Sequence, residues 1–154
     1  MMNTHEINTF LLFKLPAAFV CGVRARKVGA DSAVVTAPTK WISKNPFGSM
    51  YFAVQAMAAE LSTGILLMRA IRRSGRPASM LVTGLRAEYF KKAVGRITFI
   101  CFDGEAVAQT VELALSGQSQ IVELTSTGKD QAGDVVSVHT ISWSIKSKQP
   151  LNSP

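Results

Sequence analysis

A chain of 154 residues is long enough for one domain with a sizeable core, and its 47% hydrophobic and 8% aromatic content excludes an intrinsically disordered polymer. The net charge of +7 points to an anionic partner, either nucleic acid or a phosphorylated small molecule such as coenzyme A; without interleaved aromatics or a dominant Lys/Arg stripe, nucleic acid is the weaker expectation. Cys21 and Cys101 stand far apart inside apolar runs, and with two histidines and no Cys/His/Asp cluster neither a disulfide framework nor a metal enzyme is expected, so a reducing cytoplasm is the predicted location.

Residues 5–15 predict a short helix, ended by Leu15-Pro16. The apolar run 10–23 holds Lys14 and Pro16 and no basic stretch precedes it, which argues against a signal peptide. Phe19, Cys21, Val23 and Ala25 alternate with Val20, Gly22, Arg24 and Arg26, predicting a half-buried strand over 19–26. "GADS" (29–32) reads as a turn and 33–39 as the second strand of a hairpin. Residues 40–47 read as a loop.

From about Gly48 to Ile71 or Arg73 the sequence predicts one long helix, closed by the basic, Gly- and Pro-containing "RRSGRPAS" (72–79). It is long and apolar enough to span a bilayer, but Gln55, Glu60 and Gly64 in mid-span and strand-like sequence on both sides favour a buried core helix and no membrane. Strands are predicted over 80–94 and 96–102, then a short helix over 104–115 capped by Asp103, then strands over 120–126 and 134–146 across the turn "TGKDQAG". In the last strand Val135, His139, Ile141, Trp143 and Ile145 are expected on one face, with His139 a satisfied core or interface histidine rather than a base. The whole chain, 1–154, reads as one α+β domain with 1–4 and 148–154 as flexible ends. A helix that is apolar nearly all round must be wrapped, and a curved antiparallel sheet is the natural wrapper.

Between Lys44 and Arg69 there is a single carboxylate, Glu60. Buried and unpaired, such a group costs several kcal/mol unless it is paired, hydrogen-bonded or protonated. Two readings stand: Glu60 faces a pocket, or it is a structural carboxylate held by Ser62, Thr63 or backbone donors.

Asn45, Gly48 and Glu60, the last fifteen positions after the first, and "LRAEYFKKAVG" (85–95) after the helix resemble acyl-CoA thioesterases of the hotdog superfamily, in particular a branch with a helical insertion like 103–117. The resemblance spans essentially the whole chain and implies a hotdog fold, hydrolysis of an acyl-CoA-type thioester without a further cofactor, and a homodimer or tetramer with sites across the subunit interface. Carried over residue by residue, Glu60 is the base or nucleophile, Asn45 helps polarise the thioester carbonyl, with a plain helix-entry residue as its alternative, and the Phe52 backbone N–H receives the oxyanion. Gly48, Tyr51 and Gln55 are the candidate substrate contacts, with simple packing the alternative for Tyr51. Arg72, Arg73, Arg76, Arg86, Lys91 and Lys92 are candidates to hold coenzyme A phosphates, with a solvated surface as the alternative for each. The chain departs from the pattern at Tyr51-Phe52-Ala53, where catalytic relatives often carry His-Gly-Gly; the Phe52 side chain then crowds the approach to its own N–H. On a helix rising about 1.5 Å per residue, Gly48 and Glu60 lie roughly 18 Å apart and Tyr51 and Glu60 point to nearly opposite faces, so a partner subunit is needed to complete one site. A non-catalytic module binding an acyl or aromatic ligand, and a nucleic-acid-associated basic protein, are the rival functions.

Overall fold

The computed structural model describes residues 2–148. The predicted flexible ends therefore fall partly outside it: Met1 and residues 149–154 are not among the described residues, whereas Asn3 caps the first helix by accepting the Glu6 N–H at 2.9 Å. In chain order the elements are α1 (Thr4–Lys14), α2 (Pro16–Val20), β1 (Arg24–Val28), β2 (Ala33–Pro38), a 3-10 turn (Trp41–Ser43), α3 (Phe52–Ser74), β3 (Ala78–Tyr89), β4 (Arg96–Cys101), α4 (Gly104–Leu115), β5 (Gln120–Lys129) and β6 (Val135–Ser147). The six strands form one curved antiparallel sheet in the order β1-β2-β4-β5-β6-β3.

Helix α3 lies in the hollow of the sheet, packed on β2, β4, β5 and β6. Although it has the length and hydropathy of a bilayer span, Ala58, Ala59, Ile65 and Leu67 are sealed against Val35, Ile97, Phe99, Leu124 and Ile141 in the core. Two polar contacts fix its rotation. Ser62 Oγ and Ser126 Oγ are 2.7 Å apart, and the Trp143 indole N–H donates to Thr63 Oγ1 at 2.9 Å. Next to them Gly64 admits the Trp143 ring so closely that an added Cβ would stand 3.3 Å from it.

Several predicted elements shift. Phe19 and Cys21 are not in a strand: Pro16 occupies the first position of α2, where its fixed φ suits a helix, and strand geometry begins only at Arg24. Helix α3 starts at Phe52 rather than Gly48, because the Asn45 side chain closes a polar turn first, accepting the Phe47 N–H at 3.0 Å and the Ser49 N–H at 3.2 Å. Strand β3 starts at Ala78 and stops at Tyr89; residues 90–95 are loop, with Gly95 at φ 79°. The β5–β6 hairpin is longer than predicted, and a bulge at Gly128/Lys129 turns Val136 inward in place of Val135, which is exposed. Asp103 does precede α4, but its carboxylate accepts the Thr125 N–H at 2.6 Å instead of capping the helix.

Candidate active site

The contacts made by Ser62 and Thr63 decide where Glu60 points. At about 100° per residue, Ser62 lies nearly opposite Glu60 on α3, so anchoring Ser62 to the sheet turns Glu60 outward, toward α1 and α2. Ser62 and Thr63 return their hydroxyl protons to the Ala59 and Glu60 backbone carbonyls, at 2.8 Å each, and neither holds the Glu60 carboxyl. Among the described residues that carboxyl has no hydrogen-bond or ion-pair partner. It is half-buried beside an apolar cavity of about 230 Å³ lined by Leu11, Lys14, Leu15, Pro16, Ala17, Ala18, Met57 and Leu61. Desolvation pushes its pKa above the usual carboxylate value, which makes it a stronger base when ionised.

A second hollow, of about 400 Å³, opens at the start of α3 between Asn45, Ser49, Phe52, Gln55, Tyr89 and Lys92. Asn45 is engaged within its turn, its amide also donating to Ser49 Oγ at 3.1 Å, so it shapes the rim. Gly48, at φ 80° with nothing near a would-be Cβ, gives the turn its left-handed corner and leaves the rim open. The Tyr51 N–H is taken by the Ser43 carbonyl at 2.8 Å, whereas the Phe52 and Ala53 N–H groups, first in the helix, have no acceptor among the described residues. With the positive end of the helix dipole behind them, they are suited to an oxyanion or carbonyl. Gln55 is only 4% exposed and its Oε1 has no partner.

The predicted basic cluster is not one cluster. Lys92 sits at the start of α3, with its ammonium 3.5 Å from the Phe47 carbonyl oxygen. Lys91 is committed to Asp130 and Asp134 at 2.7 and 2.6 Å, bonds that raise its own pKa and, through the Lys91 partner, lower that of Asp130. Arg86 is exposed on the edge strand β3. Arg72, Arg73 and Arg76 lie at the opposite end of α3, roughly 30 Å away at about 1.5 Å per residue. His139 is in the core as expected but not satisfied: among the described residues both ring nitrogens lack partners, its ring meets Tyr89 and Phe99 edge-on, and burial lowers its pKa to about 4.

The sequence reading missed the Lys14–Ala18 wall of the Glu60 cavity, having ended a helix at Leu15 and assigned no element to Pro16–Ala18. Its signal was Pro16 followed by two alanines, a helix start. Within one protomer the structure does not bring Glu60 and the Phe52 N–H to the same hollow.

Residues 4–145 match the family model of a domain of unknown function, DUF4442. No curated protein matches the chain. Among solved structures the chain is similar to PA5026 of Pseudomonas aeruginosa, described as a protein of unknown function and probable thioesterase, at 22% identity, TM-score 0.81, covering 96% of this chain and 98% of that one. Protein OLEI01261 of Chlorobaculum tepidum, of unknown function, aligns at 15% identity, TM-score 0.81, over 94% of both chains. Thioesterase HI1161 of Haemophilus influenzae aligns at 12% identity, TM-score 0.73, over 99% of this chain and 96% of that one. At these identities the likeness is one of fold, and the fold is the hotdog fold.

Proposed function

The chain belongs to the DUF4442 domain family, and on that premise we propose that it is a hotdog thioester hydrolase acting on an acyl-CoA-type thioester, with Glu60 as general base or nucleophile. One observation carries the reading: an unpaired, desolvated carboxyl beside an apolar cavity, in a helix that supplies no other acid. The free Phe52 and Ala53 N–H groups suit the developing oxyanion. They open into a different hollow from Glu60, so the proposal includes a homodimer, or a tetramer built on it, in which the partner's helix start meets this chain's Glu60. Strand β3 supports such pairing, being a long sheet edge with Leu81 65% and Leu85 52% exposed. The names of PA5026 and HI1161 point to the same chemistry.

The test is hydrolysis of an acyl-CoA panel by wild type and Glu60→Gln from acid to alkaline pH. Loss of a general base lowers kcat by about 100-fold or more. Because the base must be deprotonated, wild-type kcat/KM should fall as pH drops through the raised Glu60 pKa, and this limb should vanish in the variant. Equal turnover by both proteins refutes the assignment.

A second reading, a non-catalytic module that binds an acyl or aromatic ligand, is favoured by Phe52. It stands 56% exposed at the rim of the hollow, edge-on to Tyr51 at 4.8 Å, where the thioesterase pattern carries glycine. Binding of a CoA ester with no turnover by either protein selects it.

A further inference from the structure

We propose that the C-terminal end of α3 is a binding site for a phosphate-bearing small molecule, its phosphate held among the guanidinium groups of Arg69, Arg72 and Arg73. The inference stands independently of the thioesterase reading.

Four arginines, Arg69, Arg72, Arg73 and Arg76, fall within eight residues. Their charges are poorly matched. Arg72 pairs with Glu6 at 3.1 Å, with both side chains well exposed, and Arg76 donates to the Leu115 carbonyl at 3.1 Å. Arg69 and Arg73 have no partner among the described residues. Arginine in the last turn is favoured by the negative end of the helix dipole, which accounts for Arg72 and Arg73 as sequence choices. It does not account for Arg69, whose Nε lies out of contact with solvent and has no acceptor among the described residues. A cation with a shielded, unpaired donor is expensive, and an anion bound to the half-buried remainder of the same guanidinium group is what would compensate its charge.

There is room for one. Among the described residues, a cavity of about 470 Å³ is lined by Met2, Arg69, Arg72 and Arg73, none of them a carboxylate. A neighbouring cavity of about 670 Å³ shares Arg69 and Arg73 but has Asp31, Glu105 and Glu112 in its wall, so the anion belongs in the first and only an uncharged or cationic part of the ligand in the second. Guanidinium forks match phosphate oxygens two at a time, which is why phosphate is the chemistry named here.

Calorimetric titration with pyrophosphate, ADP and coenzyme A at about 0.15 M salt tests the site. Wild type should bind at least one of the three, and Arg69→Gln/Arg73→Gln should weaken that binding by about tenfold or more, the worth of hydrogen bonds to a charged group. Arg73→Gln alone, at an exposed position, should show a smaller loss in the same direction in a protein whose melting is unchanged. Lys27→Gln/Lys129→Gln, which removes the same charge from exposed strand positions elsewhere, should bind as wild type does. Coenzyme A binding more tightly than ADP assigns the phosphate to a CoA-type ligand; equal affinities assign it to a free nucleotide or phosphate, and either upholds the site. No binding by wild type, or equal weakening in the lysine pair, overturns it.

Discussion

His139 should govern how the fold responds to mild acid. Its imidazole is wholly enclosed between the Tyr89 and Phe99 rings and neither nitrogen is bonded, so the folded protein resists protonating it and the pKa falls to about 4. In the unfolded chain the same group protonates near its ordinary value of 6.5. Because the folded-state value is depressed, the unfolded state binds the extra proton first. Stability is therefore full above about pH 6.5 and is lost as pH falls toward 4. The gap between 6.5 and about 4, at about 1.4 kcal/mol for each pH unit, sets an upper limit of about 3.5 kcal/mol. For a domain of this size that limit is a fall in Tm of about 7–14 °C. Replacing His139 with Phe keeps an aromatic ring against Tyr89 and Phe99 and removes the titration. Urea denaturation at intervals from pH 4.5 to 8 compares the two proteins, and Glu60, whose raised pKa works in the opposite sense, cancels in the difference. The His139→Phe curve should lie increasingly above wild type as pH falls below 6.5. Parallel pH profiles would mean that the imidazole is solvated or bonded, and the reasoning would fail.

Two further substitutions probe the packing that positions the site. Gly104→Ala places a Cβ on top of the Ala30 carbonyl oxygen and the Asp31 Cα, so α4 must move off the β1–β2 turn. A loss of about 1–3 kcal/mol in urea denaturation is expected, and an unchanged midpoint counts against this contact. Thr63→Val keeps the side-chain shape but strips the Trp143 indole N–H of its acceptor inside the core. It should cost about 1–3 kcal/mol and alter tryptophan fluorescence; a silent substitution would show that the bond is not made.

The wrapped helix was legible because its signal is collective: from Val54 to Leu67 almost no position can face water, and the strands around it alternate. The position of Glu60 in an apolar setting was legible for the same reason, as the lone charge in that run. What it faces was not legible, because the Lys14–Ala18 wall depends on Pro16 starting a helix within a stretch that also alternates like a strand. The basic residues misled in another way. Arg73 and Lys92 are close in sequence, but a helix of 23 residues separates its two ends by roughly 30 Å, and the strand that follows returns the chain to the far one. Lys91 was unreadable as a structural residue because its partners, Asp130 and Asp134, lie about forty positions downstream.

The tight seat of the Trp143 indole against Gly64 has a consequence for heredity. A slip of α3 by one residue would swing every side chain by about 100° around the axis, carrying Glu60 away from its cavity. The angular phase of the acid is thus set one turn along its own face of the helix, by a glycine and a tryptophan seventy-nine positions apart that have no part in the chemistry. Descendants of this chain would be free to change the cavity wall, and with it the ligand, while drift at that pair would misdirect the carboxyl even with every pocket residue intact.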